Sequence, residues 1–423
     1  MSRVTPIEPG ETVPVVAAFF LFFFILGGYF AVRPVRETIA TLMGRKAVAD
    51  LWLFTWLFSF AIVPLFGYVV ARVRRSVFLP CMYGFVAVIL AFIGMAMNGK
   101  DINLDLGKFF YVFISVLNLF LVSVFWSFLL EIFSGTQTKR LFGFIAAGGT
   151  VGALAGPALV DLLIDIIGNS GVLFLGASMF AIAIVPQQLL VRFWRGSSEA
   201  RAANERPIGG NPFAGFAQVL RSPYLLGIAL FVVLLSTVST ILYFEQLRVV
   251  EEAFSSTTER TRVFARLDWI VQSLAVISQI FLTGQIAKRF GVGTLLMVVP
   301  VIMVFGFVGL AASGTFTILA IVIVARRSLE YAFARPGREM LWSPLDSETK
   351  YKAKSTIDVL VYRGADALSG QVNSGIISAG FSNAFVALLG AGVAAAWAGT
   401  GWWLGRRMKA EVASKAEDSG KSG

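Results

Sequence analysis

The chain of 423 residues is 57% hydrophobic and only 14% charged, and its mean hydropathy is +0.77. A soluble domain carries roughly 25% charged residues, so this composition excludes an ordinary soluble domain and indicates a polytopic membrane protein. With no histidine and a single Cys81, the sequence offers neither a disulfide nor a metal site, and any proton coupling would have to use carboxylates.

Apolar stretches long enough to cross a bilayer recur from one end of the chain to the other, which predicts an all-α membrane protein. The first stretch is too long for a cleavable signal peptide and carries Arg33, Arg36 and Glu37 in its second half, so we expect it in the mature fold. Twelve transmembrane helices, called spans 1 to 12, are predicted at residues 14–42, 51–71, 77–97, 109–132, 141–163, 172–191, 223–250, 263–286, 294–312, 316–338, 356–380 and 384–405.

The basic residues are distributed unevenly between the two sides of the predicted bundle. Most of the 36 Lys and Arg fall in loops on the side of the N-terminus, which by the positive-inside rule is the cytoplasm. This predicts an inner (plasma) membrane protein with both termini cytoplasmic. It also explains the net charge of +11 without a nucleic-acid partner.

Several Arg, Gly and Pro interrupt the apolar pattern between the sixth and seventh spans, which predicts a cytoplasmic linker there. The predicted domains are an N-terminal six-helix bundle at 1–192, the linker at 193–222, and a C-terminal six-helix bundle with a cytoplasmic tail at 223–423.

A short motif repeats after spans 2 and 8. Gly67 and Arg72 recur 217 residues later as Gly284 and Arg289. Both segments resemble the Gly-x4-Arg loop of the major facilitator superfamily, in which a basic residue holds a short inner turn. The resemblance implies the major facilitator fold, with two six-helix bundles around a midplane site.

Span 1 places its polar residues on one face, since Arg33, Arg36 and Glu37 follow Tyr29 by four, seven and eight positions. A charge in hydrocarbon costs roughly 3 kcal/mol or more, so such residues normally face a bundle interior and mark a solute path. Two guanidiniums on one face suit phosphate or carboxylate, which arginine binds with paired hydrogen bonds. The alternative is a salt-bridge cluster at the outer end of the helix.

Glycines follow the fourth span at spacings that give the fifth span narrow faces for close packing or sliding. They are Gly143, Gly148, Gly149, Gly152 and Gly156.

The segment joining spans 10 and 11 is the richest in charge. Arg327, Tyr331 and Arg338 share one helical face, and Arg335–Pro336 predicts a kink that frees backbone carbonyls. The polar face of span 11 consists of Asp358, Tyr362 and Asp366, flanked by Arg363.

Charged residues also gather at both ends of the predicted bundles. We expect them to act as gates, because weak ion pairs can form on one side while others break as two bundles rock about a central site. The outer group is Glu245, Arg248, Arg266 and Asp268, and the inner group is Glu131, Lys139, Arg140, Arg338, Glu339, Asp346 and Asp358.

These segments resemble the ATP/ADP translocase family of plastids and intracellular bacteria, which are non-mitochondrial nucleotide exchangers. Tyr29, Arg33, Arg36 and Glu37 meet the family pattern of span 1, with Arg36 where the family has Lys. The other matching residues are Phe125–Trp126, Lys139–Arg140, Tyr331, Pro336, Glu339–Met340, Pro344, Leu345, Asp346, Lys350, Lys352, Lys354, Ile357, Asp358, Val359 and Arg363. The chain departs from the pattern at Glu330, Arg335 and Arg338, where the family has Lys, Asp and Lys.

The resemblance implies a secondary active transporter, not an enzyme, that moves a nucleotide or other phosphorylated anion by alternating access. It implies a monomer in the lipid bilayer, without catalytic residues, cofactor, metal or nucleic-acid partner. The expected substrate-binding residues are Arg33, Arg36, Arg327, Arg363, Lys354, Tyr29 and Tyr331. The expected gating or coupling residues are Glu37, Glu131, Lys139, Arg140, Glu245, Arg248, Arg266, Asp268, Arg338, Asp346, Asp358 and Asp366.

Two alternatives stay open. The first is a proton-coupled exporter or importer of a different organic anion or metabolite, with Glu37, Asp358 or Asp366 as the proton carrier. The second, a membrane receptor or structural subunit, is disfavoured because every predicted outer loop is short.

Overall fold

The protein is helical throughout the residues that the computed structural model describes, and no strand occurs among them. Those residues are 7–8, 10–72, 75–97, 103–196, 214–281, 283–345, 349, 353–354 and 356–421. The helices are α1 Thr12–Met43, α2 Arg45–Arg72, α3 Arg75–Met97, α4 Leu104–Ile132, α5 Gly135–Gly196, α6 Ala214–Arg221, α7 Pro223–Ala253, α8 Thr257–Phe281, α9 Thr283–Ser313, α10 Phe316–Leu329, α11 Arg335–Met340, α12 Tyr362–Ser378 and α13 Asn383–Lys421. Two π-helical segments occupy Glu330–Ala334 and Thr356–Val361.

Eight helical stretches among the described residues are long and apolar enough to cross a membrane. Two long helices contain a sharp break at a glycine, Gly168 in α5 with φ 62° and Gly291 in α9 with φ 76°. Because L side chains rarely adopt positive φ, glycine suits both breaks. One π-helical segment interrupts predicted span 10 and the other forms the start of predicted span 11, so neither span is α-helical throughout. The all-α membrane fold is confirmed, and the count of twelve stays a prediction.

The chain forms two compact units, each with its own hydrophobic core. The first unit comprises the described residues of Met1–Gly44, Leu57–Pro207 and Phe254–Gln272. The second comprises those of Arg45–Trp56, Ile208–Ala253 and Ser273–Gly423. Each unit therefore contains a segment from the other half of the sequence. Of the predicted linker at 193–222, only residues 193–196 and 214–222 lie in the described part of the chain.

In the first unit, α1 packs closely on α5 along the glycine face. A side chain at Gly148, Gly152 or Gly156 would collide with a backbone carbonyl oxygen of α1, that of Phe19, Phe23 or Gly27 respectively. Glycine is thus required for the approach of these two backbones. These contacts support the packing interpretation of the glycine faces.

In the second unit, α13 packs against α9 and α7, and α7 also packs against α12. Trp397 of α13 meets Phe231 of α7 edge-to-face, with ring centroids 5.5 Å apart. Tyr224 at the start of α7 donates a hydrogen bond of 2.7 Å to the backbone oxygen of Leu341. These contacts fix the helices that carry the charged residues of this unit.

Candidate functional site

A buried charged group lies on α1 beside Pro34. Arg33 Nη1 donates to both carboxylate oxygens of Asp268, at 3.2 Å each. Arg33 Nε lies 3.7 Å from Glu37 Oε1. Glu37 is 4% exposed and Asp268 is 3% exposed. Because a buried carboxylate without a cationic partner is strongly destabilising, Arg33 stabilises both acids.

Arg36 is held by neighbours on α1 and α4. It donates a hydrogen bond to Glu37, its Nη1 lies 3.5 Å from Ser115 Oγ, and its guanidinium carbon lies 5.3 Å from the centroid of the Tyr111 ring. Tyr29, one turn before Arg33, is buried. In this conformation both arginines are paired with carboxylates, as the salt-bridge alternative expects, so an incoming anion would compete with those carboxylates.

The start of α8 binds α5 through ion pairs. Arg266 Nη2 lies 3.0 Å from Asp161 Oδ1, and Arg262 pairs with Asp165 one helical turn away. Trp269 Nε1 also donates to Asp161 at 3.0 Å. The two predicted outer-gate residues of span 8 therefore have different partners, since Arg266 contacts Asp161 while Asp268 contacts Arg33.

Hydroxyl groups continue this contact between α1 and α8. Thr38 Oγ1 and Thr261 Oγ1 share a hydrogen bond of 2.7 Å, and Thr261 also donates to Asn169 Oδ1 at 2.7 Å. Arg260 Nη1 donates to Thr41 Oγ1 at 2.9 Å. Thr38 and Thr261 are fully buried, so these hydrogen bonds are shielded from water.

At the other end of α1, the residues before the helix are tied to the first turns of α5. Arg140 Nη2 lies 2.6 Å from Glu11 Oε1, and Arg140 Nη1 lies 3.1 Å from Glu8. Gln137 donates to Glu11 at 2.9 Å. Burial opposes ionisation of Glu11, but the hydrogen bonds from the Glu8 backbone and Gln137 and the charge of Arg140 lower its pKa overall.

Two predicted inner-gate residues lie near these contacts along the chain. Glu131 is partly buried in the last turn of α4. Lys139 lies on α5, but its side chain is outside what the structure describes.

The first π-helical segment, Glu330–Ala334, ends directly before Arg335–Pro336. Proline cannot donate a backbone hydrogen bond, and its ring clashes with the carbonyl one turn earlier, so the helix widens here. Arg335 is more than half exposed, and its guanidinium carbon lies 4.3 Å from the centroid of the Tyr331 ring. Glu330 lies 4.0 Å from Arg335 and 2.8 Å from Arg326.

Further ion pairs connect α11 to the second π-helical segment and to Lys354 just before it. Arg338 Nη2 lies 3.7 Å from Asp358 Oδ1, and Lys354 Nζ lies 2.5 Å from Glu339 Oε2. Arg327 and Arg363 are partly buried on α10 and α12, and each is engaged by a neighbour. Three residues singled out from the sequence, Asp346, Lys350 and Lys352, lie outside the described residues.

A hydroxyl-rich contact between α7 and α12 surrounds Asp366. Its Oδ1 accepts hydrogen bonds from Ser236 Oγ at 2.5 Å and from Thr240 Oγ1 at 3.5 Å. One turn further, Thr237 and Ser369 share a hydrogen bond of 2.9 Å. This is a partly buried carboxylate whose described hydrogen-bond donors are all neutral.

Glu245 forms the centre of a separate ion-pair group in the second unit. Arg248 Nε donates to it at 3.2 Å and Arg248 Nη1 contacts Glu252 at 2.5 Å. Arg45 lies 3.9 Å from Glu245 and donates to Asn383 Oδ1 at 3.0 Å. Glu245 and Arg248, the two predicted outer-gate residues of span 7, thus pair with each other, and the neighbouring Arg45 was not anticipated.

Sequence reasoning missed the partners that come from distant parts of the chain. Of these, Asp161 and Asp165 were detectable, because they share with Arg262 and Arg266 the four-residue spacing that places side chains on one face. The convergence of Arg33 and Arg36 with the arginines of spans 10 and 11 joins residues of both units and stays a prediction. Among the residues that the structure describes, no group of three His, Cys, Asp or Glu could hold a metal ion.

Comparison with known proteins gives a family match over most of the chain. The profile of the Major Facilitator Superfamily matches residues 15–333. ADP,ATP carrier protein 1 of Chlamydia trachomatis serovar D is 24% identical over 338 residues, which are 70% of this chain and 64% of that protein. The corresponding protein of Chlamydia muridarum is 27% identical over 293 residues, 60% of this chain and 55% of that protein. The matched region thus spans less than two thirds of these relatives.

Solved structures share the fold at low sequence identity. The nucleoside transporter NupG superimposes with a TM-score of 0.64 over 93% of this chain and 98% of its own, at 14% identity. A bacterial homologue of the iron transporter ferroportin, in an inward-facing state, gives a TM-score of 0.64 over 92% and 100%, at 13% identity. These likenesses concern the fold alone.

Proposed function

The chain belongs to the Major Facilitator Superfamily, and on this premise we propose that it exchanges nucleotides or other phosphorylated anions across a membrane by alternating access. It is a transporter and not an enzyme. The similarity to ADP,ATP carriers supports nucleotides as the first substrates to test. We further infer an inner membrane location with cytoplasmic termini and a functional monomer, as the distribution of basic residues and the family resemblance predicted.

The observation that carries the proposal is an excess of positive charge in the second unit. Between residues 326 and 366, the described part of the chain holds six basic and four acidic side chains. The basic ones are Arg326, Arg327, Arg335, Arg338, Lys354 and Arg363, and the acidic ones are Glu330, Glu339, Asp358 and Asp366. Charge within membrane helices is costly unless it is compensated, and a bound anion supplies that compensation.

Arg335, beside Tyr331, is suited to bind the phosphate group of such a solute. The guanidinium lies over the ring, more than half exposed, and its carboxylate neighbour Glu330 is 4.0 Å away. A phosphate can displace so weak a contact, because arginine binds phosphate with two parallel hydrogen bonds. We therefore add Arg335 to the substrate-binding residues predicted from the sequence.

The contact between Arg33 and Asp268 is placed where it could break and re-form during the transport cycle. We propose that the contact of α8 with α1 and α5 closes one side of the carrier and opens during transport. The exposed pair of Arg266 and Asp161 contributes about 0–1 kcal/mol and can form and break reversibly. The buried pair of Arg33 and Asp268 can open only when water or another charged group replaces the lost partner.

The test is a binding comparison on the purified protein. ATP, ADP, a sugar phosphate and the uncharged nucleoside adenosine are compared by thermal shift. The proposal expects stabilisation by the phosphorylated compounds and none by adenosine, because the arginines require a phosphate. Equal stabilisation by adenosine and ADP would instead indicate a nucleoside site and overturn it.

A further inference from the structure

The carboxylate between α7 and α12 has no role in holding the proposed anion. We propose that Asp366 is a proton-binding site, and that its occupancy sets the affinity of the anion site through Arg326 and Arg363. This inference rests on the proposed anion transport and names how that transport is regulated.

The geometry leaves one carboxylate oxygen available. Ser236 and Thr240 donate to Oδ1, and no hydrogen bond from the described residues reaches Oδ2. The side chain is only partly buried, so water can deliver a proton. A proton can therefore bind at Oδ2 while both hydroxyls keep their hydrogen bonds to Oδ1.

The charged neighbours of Asp366 are arginines on two helices. Arg363 on α12 and Arg326 on α10 both act on the carboxylate electrostatically. Tyr362 is the other ionisable residue beside it, and Glu330 is occupied by its ion pair with Arg326.

The elements packed on α12 add few charges at the level of Asp366. The first turns of α2 contact α12 through Trp52 and Trp56, and Asp50 of α2 accepts a hydrogen bond of 3.0 Å from Gln371, more than one turn beyond Asp366. At this level α7 presents hydroxyls, and its Glu245 lies more than one turn beyond Thr240. The neighbouring π-helical segment carries Asp358, which pairs with Arg338. The first ionisable residue of α13 is Arg406, some six turns into that helix by the 3.6-residue repeat. Arg326 is thus balanced by two carboxylates, Glu330 in a direct ion pair and Asp366 electrostatically, whereas Arg363 acts on Asp366 from the same helix.

Protonation changes this balance. The ionised carboxylate offsets part of the positive charge of the two arginines, and the neutral acid does not. Their attraction for a phosphorylated anion therefore increases when Asp366 takes up a proton. By linkage, binding of the anion promotes uptake of the proton by the same factor.

Infrared spectroscopy of the protein in lipid membranes, without nucleotide, tests the proton site directly. As the pH falls, the wild type should gain a carboxylic acid C=O band that is absent from Asp366→Asn. Ser236→Ala removes a donor that favours the ionised form, so the midpoint should move up by about one pH unit. Thr237→Ala is the matched control, because that hydroxyl bonds Ser369 and not Asp366.

A titrating band that survives unchanged in Asp366→Asn would overturn the proton site. An unshifted midpoint in Ser236→Ala would overturn the assigned geometry.

Binding of ATP to the purified protein tests the linkage. Wild-type affinity should rise severalfold from alkaline to acidic pH, whereas Asp366→Asn should keep the acidic affinity at both. Titration of ATP itself is common to both proteins, so their difference isolates Asp366. Asp358→Asn should keep the pH dependence, since that acid pairs with Arg338.

Two outcomes separate the possible failures. If replacing Na⁺ by choline at constant pH changes the affinity in the wild type and not in Asp366→Asn, the site binds Na⁺ and the proton assignment is wrong. If ATP and every other phosphorylated anion fail to bind at any pH, the proposed function fails, and the infrared titration still decides the proton site.

Discussion

Arg33 and Asp268 lie 235 positions apart in the sequence, yet Arg33 Nη1 donates to both carboxylate oxygens at 3.2 Å. The carboxylate is 3% exposed, so its charge depends on this arginine. The contact joins the first and second sequence halves within one compact unit. Together with the hydrogen bonds of Thr38 with Thr261 and of Arg260 with Thr41, it holds α8 against α1.

Charge reversal at Asp268 should open this contact. Asp268→Arg places two cations together, so Tyr29→Cys, introduced one turn on the cytoplasmic side of Arg33 in a Cys81→Ser background, should react faster with a membrane-impermeant maleimide added from outside. Adding Arg33→Asp should restore protection. Arg266→Ala is the control and should change labelling little, because that arginine is 57% exposed in its pair with Asp161. Equal labelling with and without Asp268→Arg would show that the contact is no gate.

Two substitutions of Arg36 should show whether transport depends on its positive charge alone or also on its planar guanidinium group. Arg36→Ala should abolish uptake of the anion, while Arg36→Lys should retain part, because the charge survives and the planar fork is lost. Uptake into proteoliposomes measures both, with circular dichroism and gel filtration to show that each variant is folded. Full activity of Arg36→Ala in a folded protein would remove Arg36 from the site.

The contact of α1 with α5 should tolerate no side chain. Gly152→Ala directs a methyl group at the carbonyl oxygen of Phe23 and should destabilise the protein by about 1–3 kcal/mol, measured by thermal unfolding. Gly143→Ala in the same helix is the control, because a Cβ there meets no atom within 4 Å. Equal melting temperatures for the two variants would contradict the close approach.

The Glu11 carboxylate should make stability depend on pH in the acid range. Its pKa is lowered from the ordinary value of 4.5, so its stabilisation is present above that value and is lost as the pH falls through the lower folded pKa. Glu11→Gln should therefore lower the melting temperature at neutral pH and lose this effect in acid. Asp105→Asn, an exposed residue on α4, should have a smaller effect at neutral pH. A Glu11→Gln difference that is the same at both pH values would contradict the ion pair with Arg140.

The features that the sequence predicted depend on local patterns, namely helical periodicity and the position of proline. The periodicity of α1 placed Arg33, Arg36 and Glu37 on one face, and Pro336 signalled an irregular helix where the π-helical segment lies. The pairing of Arg33 with Asp268 could not be predicted, because nothing in the spacing of two distant helices sets their register. The π-helical geometry was also out of reach, since proline predicts a disturbed helix without fixing how the chain relieves it.

Exchange by counterflow in proteoliposomes tests the central proposal most directly. Liposomes loaded with ADP should take up labelled external ATP faster than empty liposomes, whereas loading with adenosine should give no acceleration. Exchange should persist in the presence of a protonophore, because the proton at Asp366 adjusts binding and does not drive transport. Uptake that is independent of internal ADP and collapses with the protonophore would contradict the account and favour a proton-driven carrier.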